Sequence, residues 1–255
     1  MEILLIICLI YFLLSTLFLI IYCRVMDKLD KRRDKKQRPP EKDYNNVIDS
    51  QRPMGNTKTG LNSVLKNLLR KLYRFLDGYM YGYMRYCIIQ TGKIPSFRVR
   101  NSLYRFVFYM KITKKTVIYS GCEFRSPWNI KADNCVIAGG CIFDGRRGIE
   151  IGEHVVFGSG VHIWTEEHSI DDPYFSVLTE NAQPVYIETR AWICSDSTIL
   201  PGVTIGEGAV IASRACVTRT CEPFGVYAGV PAKKIKERNK KILYELPGKA
   251  HWHFY

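Results

Sequence analysis

The stretch that decides the fold is I-E-T-R-A-W-I-C-S-D-S-T-I-L-P-G-V-T-I-G-E-G-A-V-I-A-S-R-A-C-V, Ile187 to Val217. Every sixth residue in it is aliphatic: Ile187, Ile193, Ile199, Ile205, Ile211 and Val217. Four places after each stands a residue of modest size, Ala191, Ser197, Val203, Ala209, Ala215 and Cys221. A helix repeats every ~3.6 residues and a strand every ~2, so a strict period of six fits neither alone. It fits a solenoid of short strands, with the aliphatic residue in the core and the compact one filling the turn. Gly202, Gly206 and Gly208 are expected at corners that demand unusual backbone angles. The pattern predicts a mainly β protein built as a parallel β-helix.

Traced towards the N-terminus, the same register gives inward sets of three. These are Ile112, Ile118 and Phe124; Lys131, Ile137 and Phe143; then Ile151, Phe157 and Ile163. Between sets the step lengthens to seven, eight and then twenty-four residues. A coil with three faces has three corners, so all the extra residues emerge at one of them. That corner gathers residues 125–130, 144–148 and the long loop 164–186. Variable chemistry on a rigid scaffold is a common way to build a site. Lys131 is awkward as an inward residue, so either the coil bulges there or the register slips by one.

These residues carry a family resemblance. The run from Ala191 to Ile211 and the later Y-A-G-V-P-A-K-K-I (Tyr227 to Ile235) resemble the hexapeptide-repeat acetyltransferases, in particular the galactoside, maltose and capsular-polysaccharide O-acetyltransferases. I-P-S-F-R-V-R-N-S-L-Y-R (Ile94 to Arg105) is similar to the entry segment of the capsular enzymes. The resemblance covers about residues 95–238 and implies a left-handed coil, a homotrimer and acetyl-CoA as co-substrate. It also implies roles. His168, in a T-x-x-H that starts at Thr165, would be the general base for an acceptor hydroxyl. The backbone N–H of Ser195 would steady the oxyanion beside Trp192, and Asp144 would touch the acceptor. Acetyl-CoA would meet Ser213, Thr218, Arg219, Lys233, Lys234 and Lys236. Where relatives follow the histidine with Asp, this chain has Ser169, with Asp171 and Asp172 displaced. The acceptor implied is a sugar or polysaccharide precursor; an amino-sugar or xenobiotic acceptor, or a non-catalytic binding role, stays open.

Residues 1–23 read as a transmembrane anchor. Ile3 to Tyr22 is apolar except for Ser15 and Thr16, and ~20 helical residues match the bilayer core. A cleaved signal peptide does not fit, because no basic residue precedes the run and no small-x-small site follows it. Lys and Arg crowd the segment after it, which places the following chain in the cytoplasm. The chain carries a net charge of +13. A basic cluster beside a membrane span points to anionic headgroups rather than nucleic acid.

Residues 24–60 read as a basic flexible tether, and 61–110 as a helical and aromatic lead-in. From Leu61 to Leu76 apolar residues recur at helical spacing, with Lys66, Arg70, Lys71 and Arg74 on the other face. This helix suits a membrane surface, the β-helix or a second copy equally. The β-helix is expected over 111–222, with a C-terminal segment 223–255. Nine cysteines include no C-x-x-C pair, and Cys122, Cys135, Cys141 and Cys221 fall in the compact inward slot. His154 and His162 fall at outward positions without a metal-site pattern, so no metal is expected.

Overall fold

The six-residue period folds into three flat faces. The computed structural model describes residues 2–35, 61–168 and 182–250. The first face stacks β1 (Lys111–Ile112), β4 (Ile130–Ala132), β7 (Ile149–Ile151), β10 (Val185–Ile187) and β13 (Thr204–Ile205). The second stacks β2 (Val117–Ile118), β5 (Val136–Ile137), β8 (Val156–Phe157), β11 (Trp192–Ile193), β14 (Val210–Ile211) and β16 (Gly225–Ala228), with β17 (Lys233–Glu237) antiparallel at its edge. The third stacks β3 (Glu123–Arg125), β6 (Ile142–Asp144), β9 (His162–Ile163), β12 (Thr198–Ile199) and β15 (Cys216–Val217). All pairs within the coils are parallel, and each inward residue sits over its counterpart: Ile187 on Ile205, Ile193 on Ile211, Ile199 on Val217. Those side chains and the compact Ala191, Ser197, Ala209 and Ala215 are buried. Each large apolar side chain so buried stabilises the fold by about 1.5–3 kcal/mol.

The register differs from the sequence expectation in one coil. Ala132, not Lys131, is the inward member; it is buried and pairs with Ile112 and Ile151. Lys131 faces outward, where its Nζ meets Glu150 Oε1 at 2.5 Å. The corner between Ala132 and Ile137 is one residue short, and Asn134 adopts φ +37° within it. Burying a lysine would cost far more than shortening a turn, so alanine takes the slot. Gly206 also departs from expectation. Gly202 and Gly208 do take positive φ, +74° and +64°. Gly206 serves close approach instead: a Cβ there would stand 2.6 Å from the Pro223 nitrogen. The four inward cysteines are buried, and all nine are free thiols.

A stack of strands leaves unpaired edges on its first coil, and such edges invite aggregation unless covered. Here each edge meets a different helix. Helix α1 (Glu2–Lys35) runs past the boundary expected at residue 23, because Asp27 and Lys31 pair one turn apart at 2.8 Å within a helix-forming polar sequence. Residues 24–35 are thus helix rather than tether; residues 36–60 lie outside the described residues. Asp27 also holds Lys111 of β1 at 2.7 Å. Asp30 accepts from Trp128 Nε1 at 2.7 Å and from Asn129 Nδ2 at 2.9 Å, on a short 3-10 turn, Pro127–Asn129.

Helix α3 (Phe97–Phe106) covers β2, where buried Arg100 donates to the carbonyls of Ile94, Pro95 (2.9 Å) and Ile118 (3.1 Å). Helix α2 (Leu61–Gly92) covers β3, with Arg85 on Glu123 at 2.5 Å. At the far side the C-terminal segment lies back along the corner between the first and second faces. Tyr244 Oη donates to the His154 carbonyl at 3.2 Å, and Leu246 N–H donates to His154 Nδ1 at 3.0 Å. His154 therefore holds this strap in place.

Burial raises the Glu123 carboxyl, but hydrogen bonds from Arg125 and Arg85 outweigh it and hold the group below the usual carboxylate range. A carboxylate depressed on folding stabilises the fold above its unfolded pKa, about 4.3 for Glu, and loses that contribution as pH falls through the folded value. Urea midpoints measured between about pH 5 and pH 3 should therefore fall more for the wild type than for Glu123→Gln. The difference should be about 1 kcal/mol, since Arg85 is partly solvated. Parallel pH curves for the two proteins would show that the pair does not hold α2 to β3.

Candidate active site

The corner that collects the insertions joins the third face to the first of the next coil. Two segments meet there, 144–148 after β6 and 164–168 after β9. Thr165 is buried and staples them together. Its Oγ1 donates to the Asp144 carbonyl at 2.7 Å and accepts from the Arg147 N–H at 3.0 Å. The Asp144 carboxylate is fully buried and faces Arg146, whose Nε reaches Oδ1 at 2.9 Å and whose Nη2 reaches Oδ2 at 2.6 Å. Glu166 closes the set, meeting Arg146 Nη1 at 2.5 Å and Arg147 Nε at 2.8 Å. Two acids and two bases thus alternate across the corner. The Asp144 carboxylate pushes the Arg146 pKa up, so that guanidinium stays charged. Gly145 allows the tight approach: a Cβ there would stand 2.7 Å from Ile130 Cγ1.

Around this staple lies an aromatic and basic surface. The Arg125 guanidinium sits 5.0 Å from the Trp164 ring centroid, and His162 meets the same ring edge-on at 5.9 Å. His168 follows Thr165 by three residues and is exposed. Ser169, Asp171 and Asp172, with the rest of 169–181, lie outside the described residues.

Trp192 and Ser195 sit elsewhere. Trp192 projects from the second face between Val156 and Val210 and is 47% exposed. Ser195 follows at the turn into the third face, where Gly158 of the neighbouring coil makes room for it. A Cβ on Gly158 would stand 2.4 Å from the Ser195 nitrogen and 2.6 Å from its Oγ. Within one chain the third face separates this corner from the His168 corner, about 10–13 Å for three or four extended residues. The structure brings Trp192 and Ser195 together and does not bring His168 to them.

The positions matched to a cofactor divide in the same way. Ser213 stacks one coil on from Ser195, with Arg214 N–H on the Ser195 carbonyl at 3.0 Å. Thr218 and Arg219 are exposed and follow β15, on the His168 side of the third face. Lys233, Lys234 and Lys236 lie on β17. Lys234 already faces two carboxylates, Glu222 and Glu237, each at 2.6 Å, and their hydrogen bonds raise its pKa. Among the described residues no group of three or more His, Cys, Asp or Glu is placed to hold a metal ion.

No protein-family profile matches the chain. Its sequence is 32% identical over 133 residues to a protein named as a colanic acid biosynthesis acetyltransferase, WcaF, of Escherichia coli K12. That match takes in 52% of this chain and 71% of the relative. The chain belongs to the hexapeptide-repeat acetyltransferase family. A shorter match, 42% identical over 71 residues, is to a chloramphenicol acetyltransferase of Klebsiella aerogenes and covers 27% of this chain and 34% of that one. Among solved structures, a maltose O-acetyltransferase from Clostridium difficile 630 superposes with a TM-score of 0.53 at 26% identity, over 61% of this chain and 87% of that one. A Vibrio cholerae hexapeptide-repeat acetyltransferase in complex with acetyl-CoA superposes with a TM-score of 0.54 at 23% identity, over 60% and 84%. The solenoid is therefore the left-handed β-helix of this family.

Within the hexapeptide-repeat frame, the sequence reading did not single out Thr165, Glu166, Arg146 or Arg147. The signal was present: T-E-E at one insertion and R-R at the one a coil earlier are complementary charges at the same corner. Replacing Thr165 by valine keeps the shape but strands the Arg147 N–H and the Asp144 carbonyl. Leaving buried partners unsatisfied costs about 1–3 kcal/mol, so Thr165→Val should lower the unfolding free energy by that amount. Hydrogen exchange should rise at Arg147 and the 164–168 backbone. Unchanged exchange there would show that the loop root is held by packing alone.

Proposed function

We propose that the chain transfers an acetyl group from acetyl-CoA to a hydroxyl of a sugar or polysaccharide precursor, with His168 as general base. One observation supports the placement of the base: the staple of Asp144, Arg146, Arg147 and Glu166 on Thr165 fixes the root of the segment that carries His168. An imidazole can accept and return a proton near neutral pH, which suits the task. The ring takes the hydroxyl proton as the oxygen attacks the thioester carbonyl. The carbonyl oxygen gains negative charge, which the Ser195 N–H meets. The C–S bond then breaks, and the CoA thiolate leaves with the proton returned from the imidazolium. The hydroxyl acceptor is favoured by the maltose O-acetyltransferase neighbour and by WcaF, whose name assigns it to a colanic acid pathway.

The same reading requires a second copy. His168 and the Trp192–Ser195 pair lie at opposite edges of one rigid face, so a complete site forms where the His168 corner of one subunit meets the Trp192 corner of the next. Repeating that head-to-tail contact closes a ring, and the threefold ring is the assembly proposed here. Ser213 on one side and Thr218 and Arg219 on the other would then line one acetyl-CoA groove. Lys233 and Lys236 supply cations for its phosphates. The anchor, with Leu5–Arg32 apolar enough to cross a membrane, holds this body on the cytoplasmic side.

His168→Ala should lower turnover by about a hundred- to ten-thousand-fold, while its melting curve moves by no more than ~0.5 kcal/mol. His162→Ala should keep far more activity. Near-normal turnover in a folded His168→Ala protein removes the assignment. Comparing hydroxyl with amine acceptors in the same assay decides between O- and N-acetylation. The likeness to chloramphenicol acetyltransferase makes that antibiotic the third acceptor to try.

The shared site has its own test. Trp192→Ala and His168→Ala chains, each nearly inactive alone, should complement when co-expressed. Random mixing pairs an intact His168 corner with an intact Trp192 corner at about one site in four, so about a quarter of wild-type turnover returns if the contact is head-to-tail. No recovery in mixed assemblies, or a monomer by light scattering in detergent, would place the whole site within one chain.

A further inference from the structure

Helix α2 has two unlike faces along its length. In its C-terminal half Met80, Met84 and Ile88, four residues apart, are buried in the core shared with α1 and the β-helix. In its N-terminal half every residue from Val64 to Leu76 is exposed, Leu69, Tyr73 and Leu76 included. Along the helix Leu65, Leu68, Leu72, Phe75, Tyr79 and Tyr86, all at least half exposed, form a stripe on the other side. At ~100° per residue, the mean directions of the two sets lie about 140° apart round the helix. The exposed stripe therefore points away from the body to which α2 is docked, and the chain's own β-helix does not cover it. It runs from residue 65 to residue 86, which at ~1.5 Å per residue is about 30 Å.

We infer that this stripe is seated in the interfacial layer of the same lipid bilayer that α1 enters, so that α2 lies flat beneath the membrane with the β-helix hanging from its other side. Three observations favour lipid over protein. The first is level. Helix α1 is exposed from Leu5 to Leu14, half-buried at Ser15 and Thr16, and buried against the body at Leu19 and Cys23. Helix α2 meets it there, with Tyr22 Oη 3.4 Å from Asp77 Oδ1. The end of the apolar span of α1 thus meets α2 about midway along the stripe, at Asp77. The second is charge. Lys66, Arg70 and Arg74 fall on the arc opposite the stripe and Lys71 at its flank, the distribution of an interfacial helix among anionic headgroups. The third is composition. The stripe is leucine along its first half and aromatic along its second, and tyrosine at an interface keeps its ring in the apolar layer and its hydroxyl in water.

The test uses the full chain in nanodiscs of phosphatidylethanolamine and phosphatidylglycerol. A photoreactive benzoylphenylalanine is placed at Leu68 or Leu72 on the stripe, or at Arg70 on the opposite arc. After irradiation, intact-mass measurement should find lipid adducts at 68 and 72 in at least about tenfold greater yield than at 70. Chain-to-chain cross-links at 68 and 72 would make the stripe an interface between copies and overturn the proposal. Cross-links to residues 36–60 would mean that the chain covers its own stripe, and equal or absent lipid adducts at all three positions would leave α2 in water. Each of those results sinks it.

Discussion

The constraint on which everything else depends is the six-residue step. In a coil whose inward residue must sit over its counterpart in the next coil, an extra residue has nowhere to go along a face. It must leave at a corner. The buried column Ile187, Ile205 and its neighbours enforces this, because shifting one coil by a residue would turn an isoleucine to water and an outward residue such as Thr204 or Glu188 to the core. Each misplaced aliphatic would forfeit about 1.5–3 kcal/mol, and each buried polar group would add a further cost. The rigidity of the faces is thus what brings 144–148 and 164–168 to one corner. The same rigidity keeps that corner one face-width away from Trp192 and Ser195. A scaffold this regular cannot bend to assemble its site, which is why we propose that a neighbouring copy completes it.

The regularity also sets the problem at the first coil. Five or six strands stacked in register present three open edges, and this chain covers each with a different helix. The ion pairs Asp27–Lys111 and Arg85–Glu123 and the carbonyl contacts of Arg100 join these helices to particular strands rather than to apolar surface in general. The caps of the β-helix and the apolar helix are therefore one structure. The segment of α1 that follows the apolar run packs on the turn Pro127–Asn129 and pairs with Lys111 of β1, and α2 covers β3 while presenting leucines and tyrosines outward.

The inward register of Ile187 to Val217 was legible, since sequence period and coil period coincide there. Legibility failed where one residue was missing. The shortened corner at Asn134 moved the inward slot from Lys131 to Ala132, and no count of sixes detects a corner that closes in five. The helical extension of α1 past residue 23 was hidden for another reason: K-L-D-K-R-R-D-K has the charge of a solvated tether, and only Lys111, Trp128 and Asn129, about a hundred residues away, give Asp27 and Asp30 their partners. Gly206 read as a strained turn and is instead a point of close approach, a distinction that depends on Pro223 lying against it. At the site, His168, Trp192, Ser195 and Asp144 were named through resemblance alone; Asp144 pairs with Arg146 two residues on, but Glu166 reaches Arg146 and Arg147, and Thr165 the Asp144 carbonyl, across coils. Sequence spacing carries no distance between coils.

The position of α2 bears on the chemistry. It covers β3 and its Tyr81 side chain lies near Ser126, Asp144 and Arg146, so it reaches the corner that carries the His168 segment. Strand β9, from which that segment departs, is two strand spacings from β3 through β6, about 10 Å. With α2 at the interface, the His168 corner lies within one saccharide or two of the headgroups. A soluble sugar gains nothing from this placement, because it reaches any depth equally well. A glycan carried on a lipid is confined to that layer, and confinement of enzyme and acceptor to one surface raises their effective concentration without a new contact. On the proposed placement of α2, the helix that closes the third face of the β-helix also holds the His168 corner near the bilayer, which favours the proposed lipid-carried acceptor.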